Sequence, residues 1–490
     1  MSKPTITTLG ALIASGYVPR SIKQELRENL IACLQGGQNA FEGILGFEDT
    51  VLPDVERAIL SRHNILLLGL RGQAKTRIAR LMVNLLDEWT PVVAGSELND
   101  DPMQPISRFG CDLVAELGDA TPVSWLHRAD RYVEKLATPD VSVADLIGDV
   151  DPILAANLKL PYSDERVIHF GLVPRAHRCI FVINELPDLQ ARIQVSLFNI
   201  LQEGDIQIRG FKLRLPLDVS FVFTANPEDY TNRGSIITPL KDRIQSQILT
   251  HYPEDLLISR RITEQEAKPA KAQSERIGVP DEMRTLLEMI AFEARGSEFI
   301  DPKSGVSARL SISAFENLMS AAERRMLLNA EDTTTTRLID LWGVIPAITG
   351  KVELVYEGEI EGPQSVAYKL IGGAIKKMLL SHFPNPDASP KKKQERDPYD
   401  VLRAYFGDDN RVTLLTNAKD IDYTKSLNKV PSLRKLAEKQ AHTEQDVQFM
   451  MELLLFGLAE CNVVQRENSN GQMVFGDSIL GMFDSNFDDE

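Results

Sequence analysis

The stretch NILLLGLRGQAKTRIARLMV, residues 64 to 83, constrains the fold more than any other part of the chain. NILLLG is an apolar run too short for a core helix, and it reads as a strand buried on both faces. A glycine-bearing loop, GLRGQAKT, runs from it into RIARLMVNLLDEW, residues 77 to 89, which has the spacing of an amphipathic helix. Strand, loop and helix in that order open an α/β domain with a buried parallel sheet. Gly69 to Thr76 follows the spacing G-x-x-x-x-G-K-S/T, with Ala74 in place of the second glycine. Such a loop wraps backbone N–H groups around phosphates in front of a helix N-terminus. Lys75 would reach the β- and γ-phosphates, and the Thr76 hydroxyl would ligate Mg²⁺. Gly69 and Gly72 keep the loop compact. Ala74 is expected to hold a near-helical φ below zero, because a Cβ penalises left-handed geometry.

Two further apolar strands follow, CIFVI at 179 to 183 and VSFVFTAN at 219 to 226. Between them lie an amphipathic helix, IQVSLFNILQEG, and DIQIRGFKLRLPL, whose alternation about Arg209–Gly210 is that of a hairpin. The first strand runs into IFVINELPDL, ending in Asn184 and Glu185. Alone, that is an ordinary buried strand with a polar end. Behind a phosphate loop, Glu185 can polarise an attacking water. Asn184 stands where an aspartate would hold a water of the Mg²⁺ shell; its amide can accept a hydrogen bond but carries no charge. Asn226 ends the next strand and can orient a water at the γ-phosphate. Arg243, in LKDR, and Arg309, in SARL, could stabilise charge during phosphoryl transfer, although a lone arginine is more often a solvated surface charge.

The order GLRGQAKT, VINE, TANP, LKDR, SARL resembles that of AAA+ ATPases. It is similar, more narrowly, to the magnesium chelatase I-subunit and MoxR-type branch. DLIGDVDP through VIHFGLVPRAHRCIFVINELPDL resembles that branch's insertion before Walker B, and FNILQEGDIQIRGFKLRLPLDVSFVFTANPEDY resembles its hairpin ahead of sensor 1. The likeness spans residues 41 to 330 and is weak before 40 and after 380. It implies an AAA+ P-loop core with a parallel sheet and helical flanks, a helical lid, and ATP with Mg²⁺ as cofactors. Gly69, Gly72, Lys75 and Thr76 then resemble Walker A, Asn184 and Glu185 Walker B, Asn226 sensor 1, Arg243 an arginine finger, and Arg309 sensor 2. The departures, Ala74 and Asn184, bear on hydrolysis rate more than on nucleotide binding. A finger must enter the adjacent subunit's site, so the resemblance implies a ring-forming homo-oligomer, commonly a hexamer. It also implies a motor that remodels a partner protein, often one carrying a von Willebrand A-type domain. Alternatives are a literal magnesium chelatase subunit, a nucleotide-gated scaffold with slow hydrolysis, and a DNA-acting helicase or transcription activator.

The last is disfavoured by charge: 54 Lys and Arg against 70 Asp and Glu leave −16. At 490 residues, with 43% hydrophobic and 25% charged residues, several globular domains are expected. Cys33, Cys111, Cys179 and Cys461 are scattered without a C-x-x-C pair, and His127 with Cys111 fits no metal-ligand spacing. No signal peptide or membrane-length apolar run stands out, so a cytoplasmic location is expected. The reading divides the chain into a helical extension (1–40), the α/β core (41–265) with an unexplained insert at 91–141, and a lid (270–380). A linker (381–400) with a basic run at 391–393 and a small α+β domain (401–490) complete it. In that last domain the helix at 447–460 and a following hairpin suggest either a winged-helix-like docking module or simply a small core. MFDSNFDDE is its acidic tail.

Overall fold

The computed structural model describes residues 3–161, 164–207, 214–227, 235–386, 397–469 and 471–477. The Arg209–Gly210 turn, the 391–393 run and the acidic tail lie outside the described residues. The chain forms two compact units, Met1–His251 and Tyr252–Glu490.

In the first unit the apolar runs become strands. Five of them, β1 (Ile65–Leu68), β2 (Tyr132–Leu136), β3 (Cys179–Asn184), β4 (Val219–Ala225) and β5 (Ser246–Leu249), form one sheet in the order β5-β1-β4-β3-β2. Every pairing is parallel. All residues of β1, β3 and β4 are buried, as uninterrupted apolar strands with both faces covered must be. Leu68 pairs with Ala225 and Phe223 with Ile183, so Gly69, Asn184 and Asn226 emerge together at the carboxyl edge.

Helices α1 (Ile22–Gln35), α2 (Val51–Leu60) and α3 (Lys75–Leu81) cover one face, where Leu26, Leu30, Val55 and Ile78 pack with Leu67, Val182 and Val222. On the other face Ile200 of α4 (Phe198–Glu203) and Leu240 of α5 (Thr238–Arg243) pack with Leu66, Phe181 and Phe223. α1 begins where Ser21 accepts a hydrogen bond from the Gln24 N–H, 3.2 Å. It is part of the core, where residues 1–40 read as an extension. Its buried Glu25 binds Arg131, the residue before β2, through two 2.7 Å bonds. Arg131 also donates to the Arg178 carbonyl at 2.9 Å.

The helix expected after the loop needs correction. The helix read over 77 to 89 stops at Leu81, and after a 3₁₀ turn, Met82–Leu85, the chain becomes a strand, Trp89–Val93, paired antiparallel with Val123–His127. Pro91 cannot continue a helical ladder, and Thr90, Val92 and Val93 are β-branched; both favour the strand. The insert at 91–141, which the sequence leaves unexplained, contributes β2, the edge of the main sheet.

The second unit packs α6 (Asp281–Gly296), α7 (Arg309–Leu328), α8 (Pro363–His382) and α9 (Glu444–Glu460) with an antiparallel sheet. That sheet holds β6 (Val412–Leu415), β7 (Gln465–Ser469) and β8 (Gln472–Gly476) in the order β6-β8-β7. One core joins Leu286, Leu318, Ile371 and Leu379 to Leu414, Leu453, Phe456 and Phe475. Residues 270–380 and 401–477 thus share a core where the sequence suggests separate lid and C-terminal domains. The helix Leu256–Glu266, read as the end of the α/β core, also falls in this unit. α9 is apolar on nearly every side, the mark of a buried helix. At Gly457 an added Cβ would lie 2.9 Å from the Leu379 Cβ, so glycine permits the close approach of α8.

Within α9, Glu452 is fully buried. It accepts hydrogen bonds from the Leu338 N–H and from Gln448 Nε2. Burial pushes its carboxyl up to about 7, with the Leu338 N–H and the Arg337 guanidinium opposing the rise. A raised carboxyl stays protonated in the folded chain while the unfolded chain ionises, so its contribution to stability falls as pH rises from 4.5 to about 7. Urea unfolding should show Glu452→Gln removing about 3 kcal/mol of stability loss between pH 4.5 and pH 8. An unchanged pH profile would contradict this.

Candidate active site

The phosphate-type loop starts where β1 ends. An ideal Cβ at Gly69 would lie 2.0 Å from Thr250 Oγ1 and 2.2 Å from Gln73 Oε1, so only glycine fits. Thr250, just past β5, donates its N–H to the Leu68 carbonyl at 2.9 Å and its hydroxyl to Gln73 Oε1 at 2.7 Å. These bonds clamp the loop to the sheet edge. Gly72 has φ 73°, which glycine accommodates freely. Ala74, the residue capping α3, has φ 54° and ψ 13°. This corrects the expectation of a negative φ: the chain turns from loop into helix through a left-handed residue. For an L-residue that geometry costs about 1–2 kcal/mol. The sequence pattern was thus literal in wanting glycine here.

Lys75 is buried, and its ammonium donates to the carbonyls of Gly69 and Leu70 and, at 2.8 Å, to Asn226 Oδ1. Asn226 Nδ2 donates to Glu185 Oε2 at 3.0 Å. With a cation on one side and a carboxylate on the other, the Asn226 amide has only one sensible orientation. Glu185 itself is left-handed, φ 55° and ψ 50°, and its N–H donates to Thr224 Oγ1 at 3.2 Å. With Ala74 it makes two left-handed non-glycine residues at the same edge.

Asn184 lies beside this chain of contacts. Its Oδ1 accepts from Thr224 Oγ1 at 3.0 Å and from Thr76 Oγ1 at 3.5 Å. Its Nδ2 donates to Glu134 Oε1 at 2.5 Å. The other Glu134 oxygen takes Arg80 of α3 at 2.7 Å and the Tyr132 hydroxyl at 3.1 Å. Burial, then the Glu134 charge, pushes the Tyr132 phenol up to about 12.

Gly69, Gly72, Ala74, Lys75, Thr76, Asn184, Glu185 and Asn226 therefore meet at one edge. Arg243 does not join them. Its Nε donates to Gln202 Oε1 at 3.1 Å and one terminal nitrogen to the Pro239 carbonyl at 2.7 Å, with the guanidinium 4.8 Å over the Phe198 ring. Arg309 opens α7 in the second unit, with an exposed side chain. Sequence reasoning missed Glu134, Thr224, Thr250 and Gln73. Thr224 sits two residues before Asn226 and could have been found from the strand end; Glu134 gives no such signal.

Chemically, the edge offers a buried cation for an oxyanion, a carboxylate for a water, and two hard oxygen donors, Thr76 Oγ1 and Asn184 Oδ1, of the kind Mg²⁺ takes. Among the described residues no group of three or more His, Cys, Asp or Glu gathers as a metal centre of its own.

No family model matches the chain. Similar solved structures include a candidate ATPase from Cytophaga hutchinsonii, 15% identical over 71% of this chain and 95% of that one, TM-score 0.28. NtrX from Brucella abortus, solved in complex with ATP, is 15% identical over 59% of this chain and 52% of its own, TM-score 0.35. A RuvB variant from Thermotoga maritima is 12% identical over 73% and 74%, TM-score 0.32. At these values nothing about activity transfers. What defines the fold class is the parallel sheet with its loop at the carboxyl edge: an α/β P-loop core.

Replacing Ala74 with glycine should relieve the left-handed strain and raise unfolding free energy by about 1 kcal/mol, net of the added chain entropy. A loss of stability in urea or thermal unfolding of Ala74→Gly would contradict the geometry at 74.

Proposed function

We propose that this chain binds Mg·ATP at the 69–76 loop and hydrolyses it, as an AAA+ motor of the magnesium chelatase or MoxR type. The observation that carries the reading is the Lys75–Asn226–Glu185 hydrogen-bond chain at the carboxyl edge of a parallel sheet. In sheets of this kind ligands bind beyond the carboxyl ends of the strands. On nucleotide binding, the Lys75 ammonium exchanges the Gly69 and Leu70 carbonyls for phosphate oxygens. Glu185 accepts a hydrogen bond from the attacking water while Asn226 orients it. The water oxygen bonds to the γ-phosphorus as the bond to the β–γ bridging oxygen breaks, and the water's proton passes by way of Glu185 to the departing phosphate, giving ADP and phosphate. Thr76 Oγ1 and Asn184 Oδ1 are the groups that would hold Mg²⁺ or its water shell. Bound there, the ion would neutralise phosphate charge.

By motif order alone Arg243 is assigned to the site of a neighbouring subunit and Arg309 to sensor 2. Both roles, with the hexameric ring, the von Willebrand A-type partner, its remodelling and the cytoplasmic setting, rest on the resemblance in motif order. Among the described residues no helix is long and apolar enough to cross a membrane. A slow, nucleotide-gated scaffold is the second reading, favoured by the neutral amide at Asn184. A DNA-acting role draws least support: the net charge is −16, and α9, the longest apolar helix near the C-terminal hairpin, buries its surface.

Lys75→Ala should abolish binding of a fluorescent ATP analogue. Glu185→Gln should keep that binding while slowing phosphate release by about 100-fold or more. Unchanged binding by Lys75→Ala would overturn the site. Unchanged release by Glu185→Gln would leave the scaffold as the better reading.

A further inference from the structure

The chain lacks a carboxylate at 184, yet a carboxylate touches that position from the neighbouring strand. Glu134 on β2 pairs in register with Val182 of β3, two residues before Asn184. Period-two alternation puts Glu134 and Asn184 on the same face of the sheet, the face that α3 covers. A carboxylate can only accept, so Glu134 forces the Asn184 amide nitrogen toward itself. The amide oxygen must then face the Thr76 and Thr224 hydroxyls, as it does. Glu134 is itself fixed on its other oxygen by Arg80 and the Tyr132 hydroxyl.

We propose that Glu134 is a positioning residue that supplies, through the Asn184 amide, the negative charge that 184 itself lacks for holding the divalent ion of a bound nucleotide. This rests on the Mg·nucleotide reading above. The hydrogen bond from Nδ2 to a full charge polarises the amide and makes Oδ1 a stronger acceptor toward a cation or its water. Arg80 offsets this only in part, because its side chain is 65% exposed and its charge is screened by solvent, whereas Glu134 is 25% exposed. The charge has moved one strand sideways without leaving the site.

The competing account is that Glu134 only ties the edge strand to α3 through Arg80. The two accounts differ in what restores function. The test uses the full chain, ADP, and Mn²⁺ as a spectroscopically visible probe, with ADP affinity in EDTA measured alongside. Glu134→Gln should weaken Mn²⁺ in the ADP complex by about 10-fold or more, leaving ADP affinity in EDTA unchanged. Adding Asn184→Asp to Glu134→Gln should recover the loss, since the charge then returns to 184. Asn184→Asp alone should gain little, because two carboxylates in contact disfavour each other's ionisation. Arg80→Ala should cost less Mn²⁺ affinity than Glu134→Gln, because Glu134 keeps its charge and its Tyr132 contact. A Glu134→Gln chain with wild-type Mn²⁺ affinity, no recovery in the double variant, or an Arg80→Ala loss equal to that of Glu134→Gln would each overturn the proposal. Failure of the wild-type chain to bind ADP in EDTA would instead bring down the nucleotide reading beneath it.

Discussion

Parallel pairing of β1, β4 and β3 is the constraint on which the first unit depends. Parallel strands deliver all their carboxyl ends to one edge, and they need both faces covered to satisfy their apolar side chains. Because Leu68, Ala225 and Ile183 are held in register, the residues that follow them are neighbours without any contribution from the loops. A slip of one residue in β3 would turn Asn184 to the opposite face and separate it from Thr76, Thr224 and Glu134 together.

Two of the chain's left-handed non-glycine residues fall at this edge. Ala74 and Glu185 are both left-handed, and neither is glycine. Lys75 is buried among oxygens, Asn226 bridges it to Glu185, and Asn184 bridges Thr76 to Glu134. Two amides thus separate two carboxylates from a cation and a hydroxyl, each amide oriented by the charge it meets. The buried Glu25–Arg131 pair secures the start of β2 from below, and breaking one partner of such a pair is costly. That link couples the N-terminal helix to the placement of Glu134.

Much of this was legible in the sequence. β1, β3 and β4 announce themselves as apolar runs, and the loop announces itself by spacing. Asn184, Glu185 and Asn226 follow from where those runs end. What stayed hidden has physical reasons. β2, YVEKL, is an edge strand whose side chains are half-buried or exposed, so it lacks the apolar run that marks its neighbours. Glu134 matters only because of a pairing across 50 residues of sequence, which no local pattern encodes. Ala74 misled because propensity argues against a left-handed alanine, and the tertiary clamp through Gln73 and Thr250 overrides propensity. Helix periodicity continued through Leu85 and Leu86, while Pro91 and its β-branched neighbours set the strand that ends it. The separate lid and C-terminal domains were suggested by composition around 381 to 400, but composition does not report that α8 and α9 bury their apolar surface in one core.

The central claim is that nucleotide occupies the edge formed by the 69–76 loop and the ends of β3 and β4. Hydrogen–deuterium exchange of the full chain, with and without saturating Mg·ATPγS, tests it most directly. The account predicts slowed exchange concentrated in peptides spanning 69–78, 183–186 and 224–226. Saturating nucleotide that leaves those peptides unchanged, or protects a different part of the chain alone, would contradict it.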